Sequence, residues 1–261
     1  MSETNIQIAA QLYTVRAYTQ TEESIASTLK KIKKIGYDCV QISAFGPCRT
    51  EFLRDELQKN ELEVCATHTA YDRIVEDTDN VIREHQLLNI PYVGLGGRKT
   101  VTIAETENFL KEILPAARKI RDAGLQFIYH NHHREFIRLE NGQTVMQYLL
   151  EHTSAEEFGL LPDLYWLQFA GVNPALFLKE HADRISVVHL KDLCIAEGNS
   201  GTEEQRYAEI FEGNMDYDGL QKVLTQTGVR YAAVEQDDCY GKDPFECLLR
   251  SRENLRKHWG I

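Results

Sequence analysis

Long apolar runs are missing from this 261-residue chain, and so is any excess of positive charge. No stretch approaches the ~18 consecutive apolar residues of a membrane span, so no membrane association is expected. Lys and Arg number 29 against 40 Asp and Glu, a formal net charge of −11. A surface of that sign repels nucleic acid and anionic lipid, and polyanionic partners are not expected. It does not exclude a small neutral or weakly anionic ligand in a local basic pocket. The six cysteines (Cys39, Cys48, Cys65, Cys194, Cys239 and Cys247) form no Cys-x-x-Cys pair. A zinc ribbon therefore has little support, and the thiols read as reduced and mostly buried, as in a cytoplasmic protein. Met1-Ser2-Glu3-Thr4-Asn5 has neither a basic stretch nor an apolar core, so no secretory leader is expected. Glycine is absent after the first apolar run, where Gln11-Leu12-Tyr13-Thr14-Val15-Arg16 follows. That absence argues against a doubly wound, nucleotide-type sheet. No linker or low-complexity tract breaks the chain, and residues 1–261 are expected to form one domain.

What the chain does contain is a repeat. A helical stretch, a Gly stop and an apolar strand recur at Lys34-Ile35-Gly36-Tyr37, Asp122-Ala123-Gly124-Leu125 and Gln226-Thr227-Gly228-Val229. Gly suits the left-handed position that ends a helix. Eight apolar, strand-like runs follow: Ile6–Leu12, Cys39–Ser43, Glu63–His68, Tyr92–Leu95, Gln126–His130, Gly159–Asp163, Ile185–Leu190 and Tyr231–Glu235. Helical patterns separate most of them. Phe109, Leu110, Ile113, Leu114, Ala117 and Ile120 share one helical face, though Pro115 is expected to kink or interrupt that helix. Asp243, Pro244 and Glu246 form a helix start. Cys194 to Asp216, after the seventh strand, is a candidate active-site flap. Strands alternating with helices over a length close to the ~250 residues typical of the fold predict an α/β protein, a single (β/α)8 TIM barrel.

In such a barrel the C-terminal strand ends converge on one site. Seven of the eight predicted strands end in polar or ionisable residues. They supply Gln11 and Arg16; His68; Gly96-Gly97-Arg98-Lys99; His130, Asn131 and His132; Asp163, with Trp166 and Gln168 beyond; His189, Lys191 and Asp192; and Glu235, Gln236 and Asp237. Asp163, His189, Glu235 and one of His130 or His132 are placed to surround a divalent cation. A mixed nitrogen and oxygen set suits Mn, Zn, Fe, Co or Ni better than Ca or Mg. Each residue also has a plainer reading. A lone strand-end His is commonly structural, Asp163 would cap a helix, His189-Leu190-Lys191-Asp192 would be an ion pair, and Glu235-Gln236-Asp237-Asp238 a solvated loop. Their common position is what favours a ligand. Arg98 and Lys99 read as surface charges, or as a phosphate grip using the Gly96-Gly97 amides. Tyr165 and Trp166 read as packing residues, or as a cover for the apolar face of a sugar ring.

These residues resemble a known family. Gln11-Leu12-Tyr13-Thr14-Val15-Arg16, Ala66-Thr67-His68-Thr69, Tyr129-His130-Asn131-His132, Pro162-Asp163-Leu164-Tyr165-Trp166-Leu167-Gln168, His189-Leu190-Lys191-Asp192 and Val234-Glu235-Gln236-Asp237 are similar to the sugar phosphate isomerase/epimerase group of xylose-isomerase-like TIM barrels. That group also includes inosose dehydratases and endonuclease IV relatives. The resemblance implies a metal, with Mn or Zn expected first, held at His130, Asp163, His189 and Glu235. Many relatives carry Glu in a Glu-Asn-His motif where this chain has His130. A symmetric pair of carboxylates acting on opposite faces of a substrate is therefore not available. The expectation is a metal-dependent isomerase or epimerase acting on a sugar or keto-sugar by proton abstraction beside a carbonyl. Glu235 or His132 would move the proton and Lys191 would stabilise negative charge. Gln11, Arg16, His68, Trp166 and Gln168 would hold substrate. Dehydratase chemistry and a non-catalytic sugar-binding barrel are the alternatives, and a homodimer is expected by analogy.

Overall fold

A computed structural model of the chain describes residues 6–198 and 201–261; the Met1–Asn5 leader reading lies outside them. Eight parallel strands form one sheet. They are β1 (Gln7–Gln11), β2 (Cys39–Ile42), β3 (Glu63–Thr67), β4 (Tyr92–Leu95), β5 (Gln126–His130), β6 (Gly159–Leu161), β7 (Val187–Leu190) and β10 (Tyr231–Val234). The order β6-β5-β4-β3-β2-β1-β10-β7 brings the two outer strands back together. They meet through single bridges, Leu160 with Ile185 and Asp163 with His189. The result is a nearly closed TIM barrel with helices between its strands. Every predicted strand is present, β4 and β5 with the predicted bounds and the others within a residue or two of theirs.

Local chemistry sets the helix ends. Thr21 and Ser24 cap helix α1 (Glu22–Ile35) reciprocally, and Gly36 ends it at φ 102, a left-handed angle that an L side chain rarely adopts. Asp243 accepts from the Phe245 N–H at the start of α10 (Pro244–Trp259). Helix α5 (Ile103–Asp122) continues through Pro115, against the expected interruption. Pro115 and Lys111, whose carbonyl loses its donor, both face solvent, while Ile113, Ala116 and Ala117 are buried beside them. Burial on the inner face outweighs the lost bond, and water can serve the exposed carbonyl.

One apolar region fills the space between strands and helices. A smaller one lies inside the barrel, where Ala9, Cys39, Cys65, Ala66, Tyr92, Ile128, Leu161, Val187 and Ala233 come from all eight strands. All six cysteines are free. Among the described residues no helix is long and apolar enough to cross a membrane. The predicted flap contains a hairpin, β8 (Asp192–Glu197) and β9 (Glu203–Ala208); its residues 199–200 lie outside the described ones.

Candidate active site

The barrel interior dictates which residues meet at its mouth. Side chains along a strand alternate, so the residue two beyond an interior one also faces inward. From Ala9, Cys39, Ile128, Leu161, Val187 and Ala233 that step gives Gln11, Gln41, His130, Asp163, His189 and Glu235, all buried. Strand β3 reaches the site by a different route. Its register against β2 skips one residue between Val64 and Ala66, so Cys65 and Ala66 both join the interior cluster. The extra residue re-aims the strand end and turns His68 inward.

Ligand atoms of His130, Asp163, His189 and Glu235 all lie within 4.8 Å of one another. His68 forms a second such group with His130 and His189. Its ring centroid is 5.0 Å from that of His130 and 5.4 Å from that of His189. Asp163 caps a helix with one oxygen and faces the cluster with the other. Oδ1 accepts from the Trp166 N–H at 3.1 Å as the cap of α7 (Leu164–Phe169). Oδ2 lies 3.4 Å from His130 Nε2, 3.7 Å from His189 Nδ1 and 2.9 Å from Lys191 Nζ. Glu235 is only 4% exposed, so Glu235 itself does not lie in a solvated loop. Its Oε1 accepts from Gln11 Nε2 at 2.9 Å. Its Oε2 is 2.9 Å from His189 Nδ1 and 2.8 Å from Lys191 Nζ.

Several of these atoms fit a cation. In the assigned tautomer and amide orientation, His189 Nε2–H donates to Gln41 Oε1 at 2.8 Å. Nδ1 then presents a lone pair to two carboxylate oxygens, an arrangement that only a proton or a metal between them relieves. His130 Nδ1, His189 Nδ1 and His68 Nε2 are buried without a hydrogen-bond partner. Asp163, Glu235 and Asp237 surround the one Lys191 ammonium, leaving negative charge in excess. Two imidazoles and two carboxylates are a donor set for a divalent transition metal.

Burial acts on every group here, and neighbouring charge decides the outcome. Burial alone would raise Asp163 and Glu235; Lys191 and the imidazoles hold both carboxyls well below their ordinary range. Burial, with Glu235 beside it, pushes Asp237 up to about 6 against the pull of Lys191. His68, His130 and His132 are driven down to about 3, mainly by burial. For His189 the Glu235 and Asp163 carboxylates outweigh burial and raise the ring.

The remaining predicted residues divide between the mouth and the exterior. The His132 ring is 4.8 Å from that of His130, and its backbone N–H donates to buried Glu135 at 2.7 Å. Glu135 also accepts from Tyr129 Oη at 2.9 Å, fixing the turn that carries His132. Gly97, at φ 101, allows the strand-four loop to approach: a Cβ there would stand 3.0 Å from His132 Nδ1. Arg16 donates to the Asp237 carbonyl at 3.1 Å. Trp166 lies 5.6 Å from His132 and 5.8 Å from Lys191 Nζ. Gln168 points elsewhere: it is exposed and lines an outer groove of about 340 Å³ with Asn173, Met215 and Asp216. Arg98 lies over the Tyr71 ring at 4.1 Å.

Three contributors went unassigned in the sequence. Gln41 was legible as a buried amide in an apolar strand, and it makes strand two a contributor after all. Asp237 stood among the strand-end residues without a role. Tyr207 of β9 carries no local signal, because only the hairpin's path brings its ring within 5.7 Å of Lys191 Nζ.

Comparison with known proteins agrees with the barrel fold. The chain is 28% identical over 153 residues to an inosose dehydratase of Geobacillus thermodenitrificans (strain NG80-2), a stretch covering 54% of this chain. The chain spans about half the length of that curated relative, 50%. A sugar phosphate isomerase/epimerase from Parabacteroides distasonis ATCC 8503 superposes with a TM-score of 0.80 at 18% identity, covering 99% of this chain and 96% of that one. A xylose isomerase-like TIM barrel protein from Mycobacterium smegmatis in complex with magnesium superposes at 0.72 with 15% identity, covering 98% of each chain. Residues 29–256 match the family described as xylose isomerase-like TIM barrel, and the chain belongs to that family.

Proposed function

We propose that this barrel is a metal-dependent lyase that removes water from a cyclic polyhydroxy ketone after taking the proton next to its carbonyl. The observation that carries the reading is chemical asymmetry. The proton-transfer groups open to a substrate are an imidazole on the β5 side, His132, and a carboxyl on the β10 side, Asp237. An unlike pair suits elimination, in which one group takes a proton from carbon and another gives one to a leaving hydroxyl. The likeness to inosose dehydratases supports the same choice. The names of structural neighbours favour isomerisation or epimerisation, which shares the first step.

His130, Asp163, His189 and Glu235 would hold the metal, with Mn or Zn favoured by the two imidazoles. A divalent ion there would supply Lewis acidity toward a bound carbonyl. The side chains then have separate tasks. Neutral His132 accepts the α-proton. Lys191 stabilises the charge developing on oxygen. Its ammonium lies within ion-pair distance of Asp163, Glu235 and Asp237, and the Asp237 contact is the exchangeable one, with 23% of its side chain exposed. A substrate oxygen that displaces Asp237 leaves that carboxyl without its cation, which favours its protonated form. Asp237 then gives its proton to the β-hydroxyl as the C–O bond breaks and water departs. Solvent returns the proton to Asp237 and removes the one on His132. Gln11 keeps Glu235 in place, while Arg16 and Trp166 contact the bound substrate.

Incubation of the metal-loaded protein with an inosose in deuterated water, followed by NMR, tests the reading. The expected product lacks one water and absorbs as an unsaturated ketone. Epimers or isomers that keep the substrate's formula would replace elimination with isomerisation.

A further inference from the structure

The hairpin β8–β9 leaves the barrel directly after Lys191, and the mechanism above makes no use of it. Its base is firmly held. Asp192, fully buried, accepts from the Leu193, Phe211, Gly213 and Met215 N–H groups at 2.7, 3.0, 3.1 and 3.3 Å. The register sets Tyr207 opposite Leu193, so Tyr207 sits near this anchored base rather than at the tip. Its N–H donates to Tyr240 Oη at 3.0 Å, tying the hairpin to the loop after β10.

The Tyr207 ring lies 4.7 Å from Tyr165 and 6.2 Å from Trp166. Lys191 Nζ is 5.7 Å from the Tyr207 centroid and 5.8 Å from that of Trp166. Two aromatic faces therefore flank the ammonium that would meet the carbonyl. Trp166 Nε1 is buried without a hydrogen-bond partner. Buried donors are normally paired, so this one points to an acceptor on a ligand.

We propose that Tyr207 is the specificity-determining residue of this site, forming with Trp166 an aromatic wall that selects a cyclic polyhydroxy ketone over an open-chain ketose. The inference rests on the reading of the site as one acting beside a ketone. A six-membered carbocycle presents its C–H bonds as one rigid apolar face for stacking, with hydroxyls at its rim for Trp166 Nε1. An open chain has no such face and must freeze several rotors to imitate it.

Wild type, Tyr207→Phe and Tyr207→Ala are titrated with an inosose and with a 2-ketopentose, which closes no six-membered ring. Quenching of indole fluorescence gives Kd; steady-state turnover of metal-loaded protein gives kcat and KM. The chain has two tryptophans, and Trp259 lies in the apolar core as a constant background. Tyr207→Ala is expected to weaken the inosose about tenfold, the worth of one good aromatic contact. The loss should fall in KM and Kd more than in kcat, with the ketopentose nearly unaffected. Tyr207→Phe should keep ring binding. Equal weakening of both ligands, no change for the inosose, or no inosose binding by wild type would overturn the proposal. Tyr207-dependent inosose binding without turnover would sustain the selection and sink the proposed reaction.

Discussion

At the residue scale, the proposed function separates groups that would hold a cation from groups that would move protons. Glu235 is anchored on both oxygens, whereas the His132 side chain has a buried, unpartnered Nδ1. Two substitutions should therefore fail differently. His132→Ala should lower kcat by about 10²–10⁴-fold, the usual worth of a positioned general base, with metal content unchanged by elemental analysis. Glu235→Gln should lose the metal as well as turnover. Gln41→Leu removes the partner that sets the His189 ring, and metal affinity measured by chelator competition should fall roughly 10–100-fold. His130, Asp163, His189 and Glu235 were legible because each ends an apolar strand. His68 was named on the same ground, but the cause of its inward aim, the irregular register at Cys65, was not legible.

Elements follow the same division between what a segment encodes and what its surroundings impose. The Gly stops and the caps at Thr21 and Asp243 act within a few residues of themselves, and a one-dimensional reading finds them. Pro115 shows the opposite case: the local rule predicts a break, and burial on the inner face of α5 overrides it. The hairpin β8–β9 was visible only as a Gly- and Glu-rich insertion, because its anchor, Asp192, receives N–H groups from residues as distant as Met215. Asp192→Ala would orphan those donors. A loss of at least roughly 4 kcal/mol is expected, at about 1–3 kcal/mol for each of the four N–H groups. Urea denaturation measures it, and an unchanged midpoint would show that the hairpin base is held by other contacts.

For the whole molecule, buried neutral histidines tie stability to pH. His68, His130 and His132 stand at about 3, and His85 also lies below its ordinary value through burial. A histidine depressed in the folded state contributes stability above its unfolded pKa, near 6.5, and loses it as pH falls toward the folded value. Lowered Asp163 and Glu235 add the same sign of dependence below about pH 4. Metal-free protein should melt at progressively lower temperature as pH drops from about 6.5 toward 3, with up to about 1.4 kcal/mol per pH unit from each such ring. His85→Gln should make that decline shallower; the same slope in both proteins would mean that His85 titrates normally.

The strands β6 and β7 close the barrel through two isolated bridges, and one of these joins Asp163 to His189. Those two residues are also half of the candidate metal set. An ion bound there would therefore be a clasp across a junction held by isolated bridges. Its loss should loosen the barrel along one line. In hydrogen exchange, chelation is expected to deprotect amides of residues 159–163 and 185–190 before those of β1 and β2, which pair without a register break. Uniform deprotection around the ring would show that the seam does not depend on the ion.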